Sequence, residues 1–380
     1  MFSIFFALRA LGRTCPKPHA SRRALRGDTQ LLKVVGYIFY RLLLLSGLLC
    51  LAACQLPQIQ PLQPLQHPPE LLENKIRLGD GALLPLKCWE TQRKNPSAII
   101  LALHGFNDYH HAFDMPAAYF AEEEITTCAY DQRGFGATAQ RGIWAGQENL
   151  LRDLKQAVLA TSSRYPNTPL YLLGESMGAA VVVAATAEAD FPKNKVAGVI
   201  LSAPALWGEN TLNPLHRFVL WLVVHQYPSL RMTGKGLKIQ ASDNIEMLRA
   251  LGRDPLIIKG TRVDAMYGLV QLMDIAHARI SSLPLPTLML YGQKDQVIPA
   301  LAIGSAMYQL QKIPVEKRNG FRAVYYQHGW HMLLRDLQRK RVWNDVVAWI
   351  KSPQAPFPSS EEVTPENFWQ KSLIAPHSQY

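Results

Sequence analysis

The sequence predicts an α/β fold: a mostly parallel, twisted sheet with helices on both faces and a long insertion. Three observations point there. Short apolar runs alternate with stretches of helical spacing between residues 97 and 351, the signature of parallel strands joined by crossover helices. One of those junctions, "LYLLGESMGAAVVVA" (170–184), is a buried strand that breaks into a helix, with Ser176 at the break. About eighty residues separate the runs at 196–204 and 286–292, too many for a single crossover.

The chain opens on a leader. Of 40 Lys/Arg and 29 Asp/Glu in the chain, eight and one lie before residue 55, so the remainder carries 32 against 28, a net of +4 rather than +11. No basic stripe with interleaved aromatics occurs after the leader, which argues against a nucleic-acid partner. The twelve-residue apolar run from Leu42 to Ala53 suits a signal-peptide core and is short for a bilayer span of about twenty. They end in Leu51-Ala52-Ala53-Cys54, which resembles the bacterial lipoprotein box. That resemblance implies cleavage before Cys54, diacylation of its thiol and, with Gln55 next, sorting to the outer membrane facing the periplasm. The alternative is an uncleaved membrane anchor. Residues 1–33 are Arg-rich and acid-poor; "SRRALR" is similar to a twin-arginine signal, but "GDTQLLK" separates it from the apolar core. An over-extended start is the expectation there.

"QLPQIQPLQPLQHPPE" (55–70) is too rich in proline for a helix or inner strand and reads as an extended tether over 55–74. The composition of 351–380 predicts a loose tail. The core is expected at 75–206 and 261–350, with the insertion at 207–260. Within it, "SAIILALHG" (97–105), "TTCAYD" (126–131), "LYLLGE", "VAGVILSAP" (196–204), "PTLMLYG" (286–292) and "RAVYYQH" (322–328) read as strands. "AYFAEEE", "ENLLRDLKQAVLATSSRY" (148–165), "MGAAVVVAATAEAD" and "LLRDLQRKRVWNDVVAWIK" (333–351) read as helices.

Ser176 sits in Gly174-Glu175-Ser176-Met177-Gly178. A serine on a sharp strand-to-helix turn has a strained backbone, and the residues two before and two after it pass close together, so both must lack a side chain. The strain presents the hydroxyl and leaves the Met177 N–H, at a helix N-terminus, facing any anion formed beside it. A serine hydroxyl is a poor nucleophile at neutral pH and requires a base and an orienting acid. Asp295 in "LMLYGQKDQVIP" follows a strand end, and His331 in "YYQHGWHMLLRD" follows the last strand. His328 competes with His331, but it reads as the end of the strand, facing a packed neighbour. A second oxyanion donor is expected from the Phe106 N–H after "LALHG". His104 reads as a brace for that loop. His110 and His111 read as loop or substrate-entry residues rather than metal ligands.

Together "LALHGF", "YDQRGFG" (130–136), "LLGESMGAA", "LSAPAL" (201–206), "LMLYGQKDQVIP" and "HMLLRD" resemble the α/β-hydrolase fold. Within it they resemble the monoacylglycerol lipase / lysophospholipase group, filed with the serine aminopeptidase-like hydrolases. Two departures stand out: the loop "HGFNDYHH", and Ala137 before Thr138 where the family has a serine or threonine. The resemblance implies acyl transfer with Ser176 as nucleophile, His331 as base, Asp295 as its orienting acid and the Phe106 and Met177 amides as oxyanion donors. No cofactor and no metal is implied, and no protein partner can be inferred. The resemblance makes the insertion an inserted helical lid, whose stretch "HRFVLWLVVHQYP" (216–228) would line an acyl tunnel, lean on a membrane or simply cap the core. The expected substrate is a lipid-like ester. The alternatives are a peptidase or amidase of the serine aminopeptidase type, which would need an acidic patch for a free amino terminus, and a non-catalytic envelope lipoprotein on a hydrolase scaffold.

In the strand order implied by the resemblance, the strands carrying Cys88 and Cys128 are neighbours. A disulfide there requires the two residues to oppose one another, and a slip of one position forbids it. Two free buried thiols remain the alternative.

Overall fold

The computed structural model describes residues 37, 41, 55–207, 214–234, 236, 238–283, 286–318 and 320–374. Cys54 and the apolar run before it lie outside the described residues. The strands are β1 (Glu70–Leu71), β2 (Lys75–Arg77), β3 (Leu83–Trp89), β4 (Ala98–Leu103), β5 (Ile125–Tyr130), β6 (Leu170–Glu175), β7 (Gly198–Ser202), β8 (Arg231–Thr233), β9 (Gly260–Arg262), β10 (Thr287–Gly292), β11 (Arg322–Tyr326) and β12 (Glu362–Val363). The helices are α1 (Asp114–Glu122), α2 (Gln147–Arg164), α3 (Met177–Thr186), α4 (Pro214–Gln226), α5 (Ile245–Arg253), α6 (Val263–Arg279), α7 (Ala300–Gln311), α8 (Arg339–Lys351) and α9 (Pro365–Ile374).

Ten strands form one sheet in the order β1-β2-β3-β5-β4-β6-β7-β10-β11-β12. From β5 to β11 every pairing is parallel. This is the α/β-hydrolase arrangement, with an antiparallel hairpin on one edge and β12 antiparallel on the other. Every residue of β4, β5, β6, β7 and β10 is buried, which is why these strands are mostly apolar on both faces rather than alternating. On one face α1 and α8 pack Phe120, Val342, Trp343 and Val346 against Ile100, Leu173 and Leu288. On the other face α2, α3, α6, α7 and α9 pack against Leu101, Leu172 and Leu201. Helix α3 is buried along its whole length, and its run of Ala and Val lets it lie close to the sheet.

The register brings the carboxyl ends of the strands to one edge: Leu103 pairs with Gly174, Glu175 with Ser202, and Gly292 with Tyr326. Reacting groups gather at this edge in open parallel sheets.

Five expectations need correction. Residues 55–67 are extended but docked rather than free. Gln60 N–H donates to Trp144 O at 2.9 Å, Asn149 Nδ2 donates to Gln60 O at 3.1 Å, and Arg152 Nη1 donates to Gln63 O at 2.6 Å. Extended backbone leaves its carbonyls unpaired, and side-chain donors on α2 take them. The tail beyond 351 is not loose. β12 covers the open edge of β11, Arg322 bonds Glu362 at 2.7 and 2.6 Å, and Phe368 of α9 is buried against Tyr291 and Tyr325. The last core strand stops at Tyr326, which leaves His328 exposed in the turn, and α8 begins at Arg339 rather than 333. The inserted segment runs to residue 262, because β9 pairs antiparallel with β8.

Cys88 lies directly opposite Cys128 in the β3–β5 pair, and the two are disulfide-bonded with their α-carbons 4.1 Å apart.

Candidate active site

Ser176 stands between β6 and α3 with φ 53° and ψ −111°, a conformation that costs a non-glycine residue about 1–3 kcal/mol. The surroundings enforce it. Ser176 N–H donates to Ser202 O at 2.9 Å, and its carbonyl accepts from Ala180 N–H at 3.2 Å and Ala205 N–H at 3.1 Å. A methyl group on Gly174 would lie 2.4 Å from the backbone N and Cα of Ala179. One on Gly178 would lie 2.1 Å from the carbonyl oxygen of Leu103. Only Gly174 is pressed against the turn's own backbone; Gly178 is required because α3 begins against the end of β4.

Asp295 lies just past β10, and its carboxylate is buried. Its Oδ1 accepts from Val297 N–H at 2.7 Å and Ile298 N–H at 2.9 Å, while Oδ2 lies 2.8 Å from His331 Nδ1. Two backbone donors on one oxygen fix the carboxylate plane, leaving the other oxygen for the imidazole. Burial alone would lower the pKa of His331, but the adjacent Asp295 charge and hydrogen bond outweigh it and leave the pKa raised. The Nδ1 contact leaves Nε2 as the nitrogen available to a substrate or nucleophile.

Phe106 follows Gly105 at the end of β4, and Met177 is the first residue of α3, where an N–H has no intrahelical acceptor. Gly105, Phe106, Ser176 and His331 line one cavity of about 250 Å³. Ala205, Trp207, Leu269, Met273, Val297, Ile298 and Met332 complete its apolar wall, and Asp108, Glu175 and Arg335 form its polar end. The Met177 side chain is in the core.

Among the described residues, the other histidines do not line this cavity. His104 is buried with its Nδ1 2.8 Å from Gly105 O, and its Nε2 accepts from Gln132 N–H at 2.9 Å, so it braces the loop. Burial pushes its pKa down. His110 pairs with Asp131 and His111 with Asp114. Both sit in the short helical turn His110–Phe113 and neither lines the cavity.

Residues 94–338 match the family described as Serine aminopeptidase, S33. The chain belongs to this family. Relatives within reach of it include the monoglyceride lipase of Rattus norvegicus, 26% identical over 77% of this chain and 92% of that protein. The monoacylglycerol lipase of Mycolicibacterium smegmatis is 23% identical over 72% and 94%. A soluble variant of the Saccharomyces cerevisiae monoglyceride lipase, solved with a substrate analog, superposes with a TM-score of 0.58 at 18% identity, over 78% of this chain and 95% of that one. This S33 family member is therefore a monoglyceride-lipase-like α/β hydrolase.

Sequence reasoning missed Asp108, Glu175 and Arg335. A signal was available: "LYLLGE" is an apolar, fully buried strand with a charge at its last position, and a buried carboxylate requires a partner.

Proposed function

We propose that this S33 family member is a serine carboxylester hydrolase acting on lipid-like substrates, a monoacylglycerol or lysophospholipid. Ser176 Oγ attacks the ester carbonyl, and His331 Nε2 takes its proton while Asp295 holds the ring and balances the imidazolium. The Phe106 and Met177 N–H groups meet the oxyanion. Protonated His331 releases the alcohol, and water then cleaves the acyl-enzyme with His331 again as base. No cofactor enters.

The observation that carries this reading is that Ser176 and His331, the latter held by Asp295 behind it, border one cavity whose remaining wall is largely apolar. An acyl chain suits that wall. At the polar end, Arg335 already contacts both Asp108 and Glu175, so no uncompensated positive charge awaits a phosphate, which favours an uncharged glycerol head group. The peptidase alternative keeps one feature in its favour, because two carboxylates border the cavity against a single arginine; turnover of aminoacyl amides is what separates the two readings.

Membrane attachment through Cys54, on the outer membrane facing the periplasm, completes the proposal. Its support is the contact of Gln55 with α4. Gln55 N–H donates to His225 O of α4 at 2.7 Å, and that helix exposes Phe218, Trp221 and Leu222, with Leu56 exposed beside its end. An anchor at residue 54 would hold this apolar surface toward lipid.

The test is a panel of monoacylglycerols, lysophospholipids, short p-nitrophenyl esters and aminoacyl amides, run alongside a fluorophosphonate probe. Ser176→Ala should abolish ester turnover and labelling together. Undiminished labelling of the variant, or turnover confined to amides, would overturn the reading. For the anchor, a clickable fatty acid should mark wild type and not Cys54→Ser; equal marking refutes lipidation.

A further inference from the structure

Three chain segments that border the cavity meet at one buried side chain. Arg335 lies four residues beyond His331, in the turn between β11 and α8, and is 4% exposed. Its Nη2 donates to Asp108 Oδ2 at 2.8 Å and to Glu175 Oε2 and Oε1 at 3.2 and 3.4 Å. Asp108 is two residues beyond Phe106, and its other oxygen accepts from Tyr109 N–H at 2.8 Å, which fixes it within its loop. Glu175 is the last residue of β6 and the immediate neighbour of Ser176. The ties therefore bridge 227 and 160 residues of chain.

A buried cluster of this kind is a poor source of stability. Removing charges from water costs what their attraction returns, and apolar replacements of like volume are often as stable. This cluster is poorer than most, because one arginine faces two carboxylates. Burial pushes the Glu175 carboxyl up, and Arg335 only partly draws it back. Arg335 Nε and Nη1 are buried without a hydrogen-bond partner among the described residues. What the cluster does supply is geometry. It sets the Phe106 loop, the residue before Ser176 and the His331 turn at fixed distances from a single nitrogen.

We propose that Arg335 is a positioning residue that holds the oxyanion-side loop, the nucleophile and the histidine turn in one reactive arrangement, acting on the acylation rate and not on acyl-chain binding. The inference rests on the functional reading of Ser176, His331 and Phe106 above. Misplacing reacting groups by about 1 Å costs on the order of 10²-fold in rate. The apolar wall that would hold the acyl chain comes largely from Leu269, Met273, Val297 and Ile298, none of which Arg335 bonds.

The experiment compares wild type with Arg335→Met, Arg335→Lys and the double variant Arg335→Met/Glu175→Gln. Readouts are kcat and KM on p-nitrophenyl butyrate, the fluorophosphonate labelling rate and the urea midpoint. Arg335→Met should lower kcat and labelling rate by about 10- to 100-fold with KM changed less than about threefold. Arg335→Lys should recover much of the rate, because the contact runs through one nitrogen and a lysine supplies one charged donor. The double variant should be no slower than Arg335→Met, because it no longer strands the Glu175 charge, and it is the variant that decides if Arg335→Met does not fold. A folded Arg335→Met or double variant with kcat within twofold of wild type overturns the proposal, as does a loss that appears in KM instead. A wild type that fails to label sinks the functional reading itself, a result distinct from normal labelling that Arg335 does not influence.

Discussion

Two buried arginine–carboxylate clusters in the molecule are built differently. In the first, Arg133 meets Asp153 with parallel bonds, Nε to Oδ2 and Nη2 to Oδ1, both at 2.9 Å. Its Nη2 also reaches Asp80 Oδ2 at 3.0 Å, where Arg152 Nη2 joins it at 3.0 Å. Two cations face two anions, and the paired fork fixes both partners in plane. This cluster ties the β2–β3 turn to α2. The second cluster sets one arginine, through one nitrogen, against two carboxylates. The balanced cluster stabilises the scaffold. The unbalanced one borders the cavity, where strain and unpaired groups are tolerated because the surrounding fold overdetermines them.

That contrast can be broken from either side. The largest effect should come from the cavity side: His331→Ala is expected to slow ester turnover by about 10³-fold or more with little change in the urea midpoint. His328→Ala, at an exposed turn position, should change turnover less than about twofold. The reverse ranking would mean the base has been misassigned. On the scaffold side, Arg133→Met should differ from Arg335→Met in its effect on rate. It strands the buried Asp153, while Asp80 keeps Arg152, and should cost about 3 kcal/mol of unfolding free energy, while the folded fraction keeps its kcat. A slow but fully stable Arg133→Met would erase the distinction between the clusters.

The smallest effect is a matter of pH. His331 must be neutral to act as base, and its pKa lies above the ordinary 6.5 because the Asp295 interaction outweighs burial. The acid limb of kcat/KM, which reports the free enzyme, should therefore fall above 6.5, with activity rising as pH climbs through it. A limb at or below that value would mean the carboxylate does not govern the imidazole.

The legibility of the sequence followed the same division. The turn at Ser176 could be read because strain on a strand-to-helix junction demands glycines at fixed spacing, and Gly174 and Gly178 are both within two residues of the serine. Core strands could be read because burial on both faces makes them predominantly apolar. The Asp108–Glu175–Arg335 cluster could not. Its members are distant in sequence, and each looks ordinary in place: an aspartate in a turn, a glutamate ending a strand, an arginine at apparent helical spacing. The docked ends were missed for a related reason. Prolines around 353–358 and 57–69 signal a chain that cannot form regular structure alone, and they are silent about pairing with a surface formed by other residues. Phe368 finds its place only because Tyr291 and Tyr325 are already side by side.

The Cys88–Cys128 bond has a mechanical consequence. A tug on the N-terminal end of the chain enters through the docked segment and reaches β1, β2 and β3, which form the antiparallel edge of the sheet. Antiparallel edge strands unzip, giving up their hydrogen bonds pair by pair under small force. Peeling would travel along β3 as far as Cys88 and stop there, because that residue is joined covalently to β5. The force then passes into an interior strand held by β4 on its far side, and the serine turn at the end of β6 lies one strand farther in. The bond works as a rip-stop between the pulled end of the molecule and its reactive edge.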